Sequence, residues 1–189
     1  MSIKIITPPA TEPLSLTEAK LHLRIDGSSD DILLASLIKQ SREWCEDYQG
    51  KKFITQTLEL VLDQFPYSDY IEFKACSPVQ SVTSVKYYDT NGTEYTFASS
   101  NYIVDTDSFI NKIVLAYNKI FPTTILQPVN GVRIRFVAGY GDTSVVPESV
   151  KWAMVLHMKL LYDDYKPEER EKLEKARDAL LGMRRVFNV

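Results

Sequence analysis

The sequence predicts an α+β chain in which about four helices form a bundle and an antiparallel β insertion interrupts it between helices 2 and 3. Three observations carry this. Apolar residues recur at helical spacing up to Gly50 and again from Glu148 onward. Between them, from about residue 51 to 141, β-branched and aromatic residues dominate and alternate in the manner of strands. Within that stretch, Asn91-Gly92 stands between two alternating runs, the strongest short-range signal for a hairpin. The expected organisation is therefore 1–50 for an extended arm and the first helices, 51–141 for the β module, and 142–189 for the helices that complete the bundle.

Taken in order, Pro8, Pro9 and Pro13 make the first dozen residues an extended arm, because proline fixes φ and disfavours helix before it. Ser15 and Glu18 have the capping-box spacing, and Leu16, Ala19 and Leu23 follow as the apolar positions of a short helix ended by Gly27. Ser28 to Asp31 supply the N-cap and first-turn anions of a second helix. Its stripe runs through Leu33, Leu37, Trp44 and Tyr48 to Gly50, about five turns. In the β module, Leu58, Leu60 and Leu62 share one strand face, Asn91-Gly92 predicts a tight I′ turn, and YIVD, KIVLAY and GVRIRFVAGY read as further strands, for five to seven in all. Pro147 suits a helix start, and the helix behind it is apolar nearly all round. Pro167 opens a last helix with an acidic head and a basic tail, matching the macrodipole.

Composition bounds what such a chain does. At 189 residues with 44% hydrophobic and 25% charged residues, it is long enough for one domain carrying a sizeable insertion and apolar enough to bury a core. A net charge of −3 argues against wholesale coating of nucleic acid, which takes many cations facing phosphates. Cys45 and Cys76 lie in different elements without metal-site spacing, which suits folding in a reducing cytoplasm. No stretch approaches a membrane span or a signal peptide, so the expectation is a soluble protein not addressed for export.

Sequence signals for chemistry are thin. Gly139 and Gly141 resemble a phosphate loop, but six residues intervene before the helix, no third glycine follows, and no Lys-Ser or Lys-Thr pair is present. His22 and His157 are the only histidines, and His157 sits among Met154, Met158 and Leu161 as a packed residue would. DTNGTE at 89–94 lacks the glycine and glutamate of a calcium loop at the required places. Asp163, Asp164, Glu168 and Glu169 read as helix-end capping, and Arg184 and Arg185 as a helix end with a candidate role in partner or DNA contact. No nucleophile carries a local signature, so no cofactor, metal or catalytic residue is predicted. Apolar surface, by contrast, is in excess: Trp44, Trp152, Met154, Leu156 and Met158 exceed what a small helical core obviously uses.

The stretch EPLSLTEAKLHLRIDGSSDDILLASLIKQSREWCEDYQGKKFITQTLEL resembles the opening of tailed-phage head–tail connector proteins, the gp6-like and phiE125 gp8-like families. Leu14 to Asp26, Asp30 to Ile38, Tyr48 to Lys51 and Thr55 to Thr57 carry the likeness, and SPVQSVTSVKYYDTNG and VRIRFVAGYGDTSVVPESVKWAM extend it to a proline-led hairpin and a strand-to-helix corner. The resemblance implies a helical head–tail connector with a β insertion, a structural and non-enzymatic virion protein at the head–tail interface, made in the host cytoplasm. It further implies a homo-oligomeric ring on the portal vertex, with portal and tail-completion or stopper proteins as partners, and only non-specific contact with passing DNA. A ring needs two different faces of each subunit to meet. On the helix from Glu148, Val150, Met154, His157 and Leu161 form one stripe, expected to face the subunit's own core. Trp152, Val155, Leu156 and Lys159 lie around the other side as the candidate subunit interface. A monomeric binding module of a phage or prophage and an enzyme without a recognisable motif remain the alternatives.

Overall fold

The computed structural model describes residues 2–183, 185 and 186. Its elements run β1 (Ser2–Thr7), α1 (Leu16–Leu23), α2 (Asp31–Gln49), β2 (Gln56–Leu62), β3 (Tyr70–Glu72), β4 (Val79–Tyr88), β5 (Glu94–Phe97), β6 (Tyr102–Asp105), β7 (Lys112–Leu115), β8 (Val132–Ala138), α3 (Glu148–Tyr162) and α4 (Pro167–Gly182). This is the α+β arrangement the periodicities predict, with the antiparallel insertion between α2 and α3. The chain divides into two compact units, Met1–Pro9 with Thr55–Gly139, and Ala10–Ile54 with Tyr140–Val189.

The β unit is two antiparallel sheets, β1-β2-β8-β4-β5 and β3-β7-β6. Alternation sets which side of each strand is buried. Leu58 and Leu60 of β2, Val85 of β4, and Val132, Ile134 and Phe136 of β8 join Ile71, Tyr102 and Ile113 of the smaller sheet in one core. Arg133 and Arg135 lie on the other side of β8, where Glu59 of β2 meets Arg135 at 3.1 Å. Two expectations need correction here. The N-terminal arm belongs to the β unit, because residues 2–7 form an edge strand on β2, with Ile3 opposite Leu60 and Ile5 opposite Leu58. The Asn91-Gly92 hairpin is not a two-residue I′ turn, since Gly92 (φ 79°) has a positive φ and Asn91 does not. Gly92 N–H donates to Asp89 O at 3.0 Å and Asp89 N–H to Thr93 O at 3.2 Å, the pattern of a three-residue loop closed by a left-handed glycine. The Asp89 carboxylate accepts from the backbone of Asn91 and Thr93, which holds its pKa below the ordinary range and favours this loop over the shorter one.

In the helical unit, the Ser15–Glu18 capping box forms as the sequence predicts: Glu18 N–H donates to Ser15 Oγ at 3.2 Å, and the Glu18 carboxylate accepts from Ser15 N–H at 2.7 Å. α1 stops at Leu23, earlier than Gly27, because Arg24 takes a left-handed conformation (φ 57°) and its N–H closes on Leu21 O and Lys20 O. Asp30 precedes α2 without a side-chain cap, and its carboxylate accepts instead from Tyr162 Oη at 2.8 Å. Gly50 ends α2 with φ 65°. The core joins Leu14, Ala19, Ile38, Cys45, Phe53, Val150, Met154, Met158 and Leu181 from all four helices and their flanks.

Candidate subunit-contact surfaces

α3 is buried on most of its circumference because α1, α2 and α4 all pack against it. Val150, Ala153, Met154, Val155, His157, Met158 and Leu160 are buried. Of the stripe expected to face the core, Leu161 is instead exposed. Of the four candidate contact residues, Val155 is only 2% exposed and belongs to the unit's own core, whereas Trp152 is 48% exposed. Leu156 and Lys159 are half-buried. The helical repeat fixes the angles between these residues but not which angles the neighbouring helices occupy. Trp152 stands edge-on to His22, with ring centroids 4.8 Å apart, beside a small cavity of about 90 Å³ lined by Leu14, Glu18, Lys151 and Val155 among others. Leu21, Ile32 and Leu33 are also exposed in this unit, Ile32 at 90%. Leu21, Ile32, Leu33 and Trp152 leave apolar surface exposed on α1, the start of α2 and α3, to which Leu161 adds near the end of α3.

His157 is a packing residue. Its ring stacks on Trp44 at 4.4 Å, and Arg177 Nη1 lies 2.9 Å from its Nδ1. Arginine only donates, so Nδ1 must be the unprotonated nitrogen. Burial, and then the Arg177 charge, push the His157 pKa down to about 4. Arg177 itself lies 3.8 Å over the Trp44 ring, and Arg185 lies 4.3 Å over Tyr48, which in turn stacks on Trp44. Arg185, a candidate partner or DNA contact, is thus held against the helical unit; Arg184 lies outside the described residues. No local sequence signal marks this stack, whose members come from α2, α3, α4 and the C-terminal segment.

A second buried cluster lies along α2. Glu46 accepts from Arg42 at 3.3 Å, Lys52 at 3.0 Å and Phe53 N–H at 2.9 Å, while Arg42 Nε donates to Glu12 at 2.7 Å. Burial alone would lower the Arg42 pKa, but Glu12, Glu46 and Glu43 more than offset it and hold it above the ordinary value. The residues entering (Glu12) and leaving (Lys52, Phe53) are thereby tied to one helix.

No phosphate cradle forms at Gly139 and Gly141. The Asp142 carboxylate accepts from Ser144 N–H at 2.8 Å and Oγ at 2.6 Å, which places an anion where a phosphate would need donors. Gly141 has a φ of 143°, which a side chain rarely adopts, and a Cβ there would also lie 2.6 Å from Val145 Cγ2, so the corner favours glycine. The Cys45 thiol, buried, is pushed up to about 12, far from the range of a nucleophile. Among the described residues no group of three or more His, Cys, Asp or Glu is placed to hold a metal ion, and no helix is long and apolar enough to cross a membrane.

The sequence model of phage gp6-like head-tail connector proteins matches residues 13–122, more than half of the chain. A search of curated proteins found no match. Among solved structures, the fold is similar to a chain in the neck of an empty GTA particle computed with C6 symmetry, with a TM-score of 0.82 and 22% identity over 100% of this chain and 97% of that one. It is also similar to a chain in the virion of a native gene transfer agent (GTA) particle, with a TM-score of 0.78 and 23% identity over 100% and 97%. A third similar chain comes from the neck of a native GTA particle computed with C12 symmetry, with a TM-score of 0.75 and 21% identity over the same shares. At these identities the likeness is one of fold.

Proposed function

Because the chain belongs to the gp6-like head-tail connector proteins of phages, we propose that it is a structural adaptor that assembles as a closed ring at the head–tail interface of a virion and lines the passage for DNA. The observation that carries this is the family match over both N-terminal helices and most of the β insertion, residues 13–122. The fold likeness to neck chains, over the whole length, supports the ring, since two of those particles are described with sixfold and twelvefold cyclic symmetry. Its partners are further copies of itself, the portal on one side and a tail-completion or stopper protein on the other. The work asked of it is assembly rather than catalysis.

Closed cyclic symmetry joins one face of each subunit to a different face of the next. The exposed apolar set of the helical unit, Leu21, Ile32, Leu33 and Trp152, with half-buried Leu156 and Lys159 on the same α3, supplies one such face. Aromatic and aliphatic groups with little charge are what an interface core contains. Contact with DNA is non-specific, as a chain of net charge −3 allows sliding better than gripping. Sedimentation and negative-stain microscopy of the purified protein test the reading. Closed rings many times the 21.6 kDa chain mass are expected, and a monomer at every concentration would overturn it.

A further inference from the structure

The loops at one end of the β unit are depleted of charge. Residues 64–68 and 116–131 contain one charged side chain, Lys119, in twenty-one positions, where the chain's 25% would give about five. Their bulky side chains are nevertheless in solvent: Tyr67 is fully exposed, Tyr117 is 90% exposed, and Ile120, Ile125 and Val129 are each well over half exposed. An aromatic side chain buries about 150–250 Å² on contact, so these five side chains together approach the roughly 800 Å² that each partner gives to a standard interface. Charge depletion with exposed tyrosine is the composition of an interface core, and differs from a solvated loop.

The same loops enclose an open cavity of about 370 Å³, walled by Phe65, Pro122, Ile125 and Leu126 with Asp63 and Gln127 at its polar side. That is ample for one aromatic side chain. The cavity is preformed. Phe65 stacks on Phe121 at 4.8 Å. Gln127 Nε2 donates to Val129 O at 2.9 Å and Asn130 O at 3.1 Å, and Asn130 N–H donates to Asp63 Oδ1 at 2.9 Å. At Gly131 a Cβ would lie 2.5 Å from Asp63 O, which fixes how closely the two loops approach. Asp63 brings a carboxylate, an acceptor only, to the cavity wall.

Tyr117 is the matching projection. It leaves β7 of the three-stranded sheet in a turn closed by Lys119 N–H to Ala116 O at 3.0 Å, with Asn118 at φ 56°, and Ala116 N–H is pinned to Asn101 O beside β6. The cavity is walled by the residues that follow β2 and by residues 122–128, further along the same β7–β8 connection. Tyr67 is equally exposed but sits only two residues from Phe65 of the cavity wall, whereas Tyr117 stands five residues before Pro122, the first wall residue of its own segment. Projection and cavity are thus two different surface features of one β unit, a knob and a socket, and seating one copy's knob in the next copy's socket joins copies head to tail.

We infer that Tyr117 of one copy seats in the Asp63–Phe65–Leu126 cavity of the next copy, its ring against the prolines and Phe65 and its hydroxyl donating to Asp63, so that β units are linked in series. This rests on the ring reading above and names a seam for it. Tyr117→Ser should leave the circular dichroism unchanged and raise the concentration for half-assembly at least about tenfold, the loss that a buried aromatic anchor produces. Tyr117→Cys with Thr124→Cys, on the projection and the exposed cavity rim, should give on oxidation a ladder of covalent multimers, while neither single variant does. The native Cys45 and Cys76 are buried and contribute no background. If wild type assembles and Tyr117→Ser assembles equally well, or the double variant gives no ladder, the seam is elsewhere and the ring reading stands. If Tyr117→Cys alone gives a quantitative disulfide dimer, the contact is two-fold and the inference fails. If wild type remains a monomer at every concentration, the ring reading falls and this seam with it.

Discussion

Replacing Glu46 by alanine tests how the helical unit holds the segments that enter and leave it. The Glu46 side chain is 1% exposed and neutralises Arg42 and Lys52, themselves 5% and 13% exposed, while also accepting from Phe53 N–H. Removing one partner of a buried ion pair costs about 3–5 kcal/mol, because the charge left behind has neither water nor a counterion. Arg42 retains Glu12 at 2.7 Å and Glu43 at 3.5 Å, so its share of the loss is softened. Lys52 and the Phe53 N–H have no such reserve at Glu46, and an unsatisfied buried N–H costs about 1–3 kcal/mol. These contributions overlap, which places Glu46→Ala at about 3–5 kcal/mol. At 2–4 °C per kcal/mol for a chain of this size, the midpoint should fall by roughly 6–20 °C.

Both tryptophans, Trp44 and Trp152, lie in the helical unit, so tryptophan fluorescence during urea unfolding reads that unit alone. Glu46→Gln keeps an acceptor for Phe53 N–H and removes only the charge, and should lose about 1–3 kcal/mol. Arg42→Met with Glu46→Met leaves no buried guanidinium behind but still removes the acceptor of Lys52 and the Phe53 N–H, and should lose about 1–3 kcal/mol, less than Glu46→Ala. A loss below about 1 kcal/mol in Glu46→Ala would refute Glu46 as the buried counterion, and an equal loss in Glu46→Gln would refute the share assigned to the Phe53 N–H bond.

Three other outcomes are expected. His157 has a folded pKa of about 4 against an ordinary 6.5, so the unfolded chain binds the extra proton first; the contribution is complete above about pH 6.5 and is lost as pH falls toward 4, at most about 3 kcal/mol, and His157→Gln should flatten that limb of a stability–pH curve. Gly92→Val should cost about 1–2 kcal/mol by calorimetry through its φ of 79° alone, because a Cβ there meets nothing within 4 Å; an unchanged melting point would falsify the left-handed turn. Leu156→Asp should reduce assembly in sedimentation while far-ultraviolet dichroism stays native, and an unfolded chain would place Leu156 in the intramolecular core.

Local signals in the sequence proved the most informative. The capping box at Ser15–Glu18, the left-handed Gly50 and the proline opening α4 each depend on residues within four positions, and each is visible in the string of letters. β1 escaped because its partner β2 lies some fifty residues away and five of its six side chains are exposed, so its composition carries no burial pattern. The hairpin was legible as a hairpin, but its loop length was decided by the Asp89 carboxylate bonding two backbone N–H groups, a competition that Asn-Gly alone does not reveal. Val155 and Trp152 were indistinguishable on a helical wheel, since the wheel knows nothing of where α2 and α4 stand. Arg185 looked like a free cation at a helix end and is instead stacked on Tyr48 from α2.

The candidate contact surfaces follow the same division. A helix apolar nearly all round invites the conclusion that its second face meets another subunit, yet three neighbouring helices of the same chain suffice to cover most of α3. What remains exposed there is narrow, Trp152 and Leu161 with partial access to Leu156, and the unit's other exposed aliphatic groups include Leu21, Ile32 and Leu33. The larger uncovered apolar surface is in the β unit, in loops whose signature was countable from the start as missing charge rather than as a motif. Strand alternation and helical periodicity register how a chain buries its own core, and loops have no period to violate. In a connector, where affinity must come from surfaces left over after folding, the informative residues are therefore bulky side chains on ordered loops that bury nothing in their own subunit, and Tyr117 beside a preformed cavity is the clearest of them.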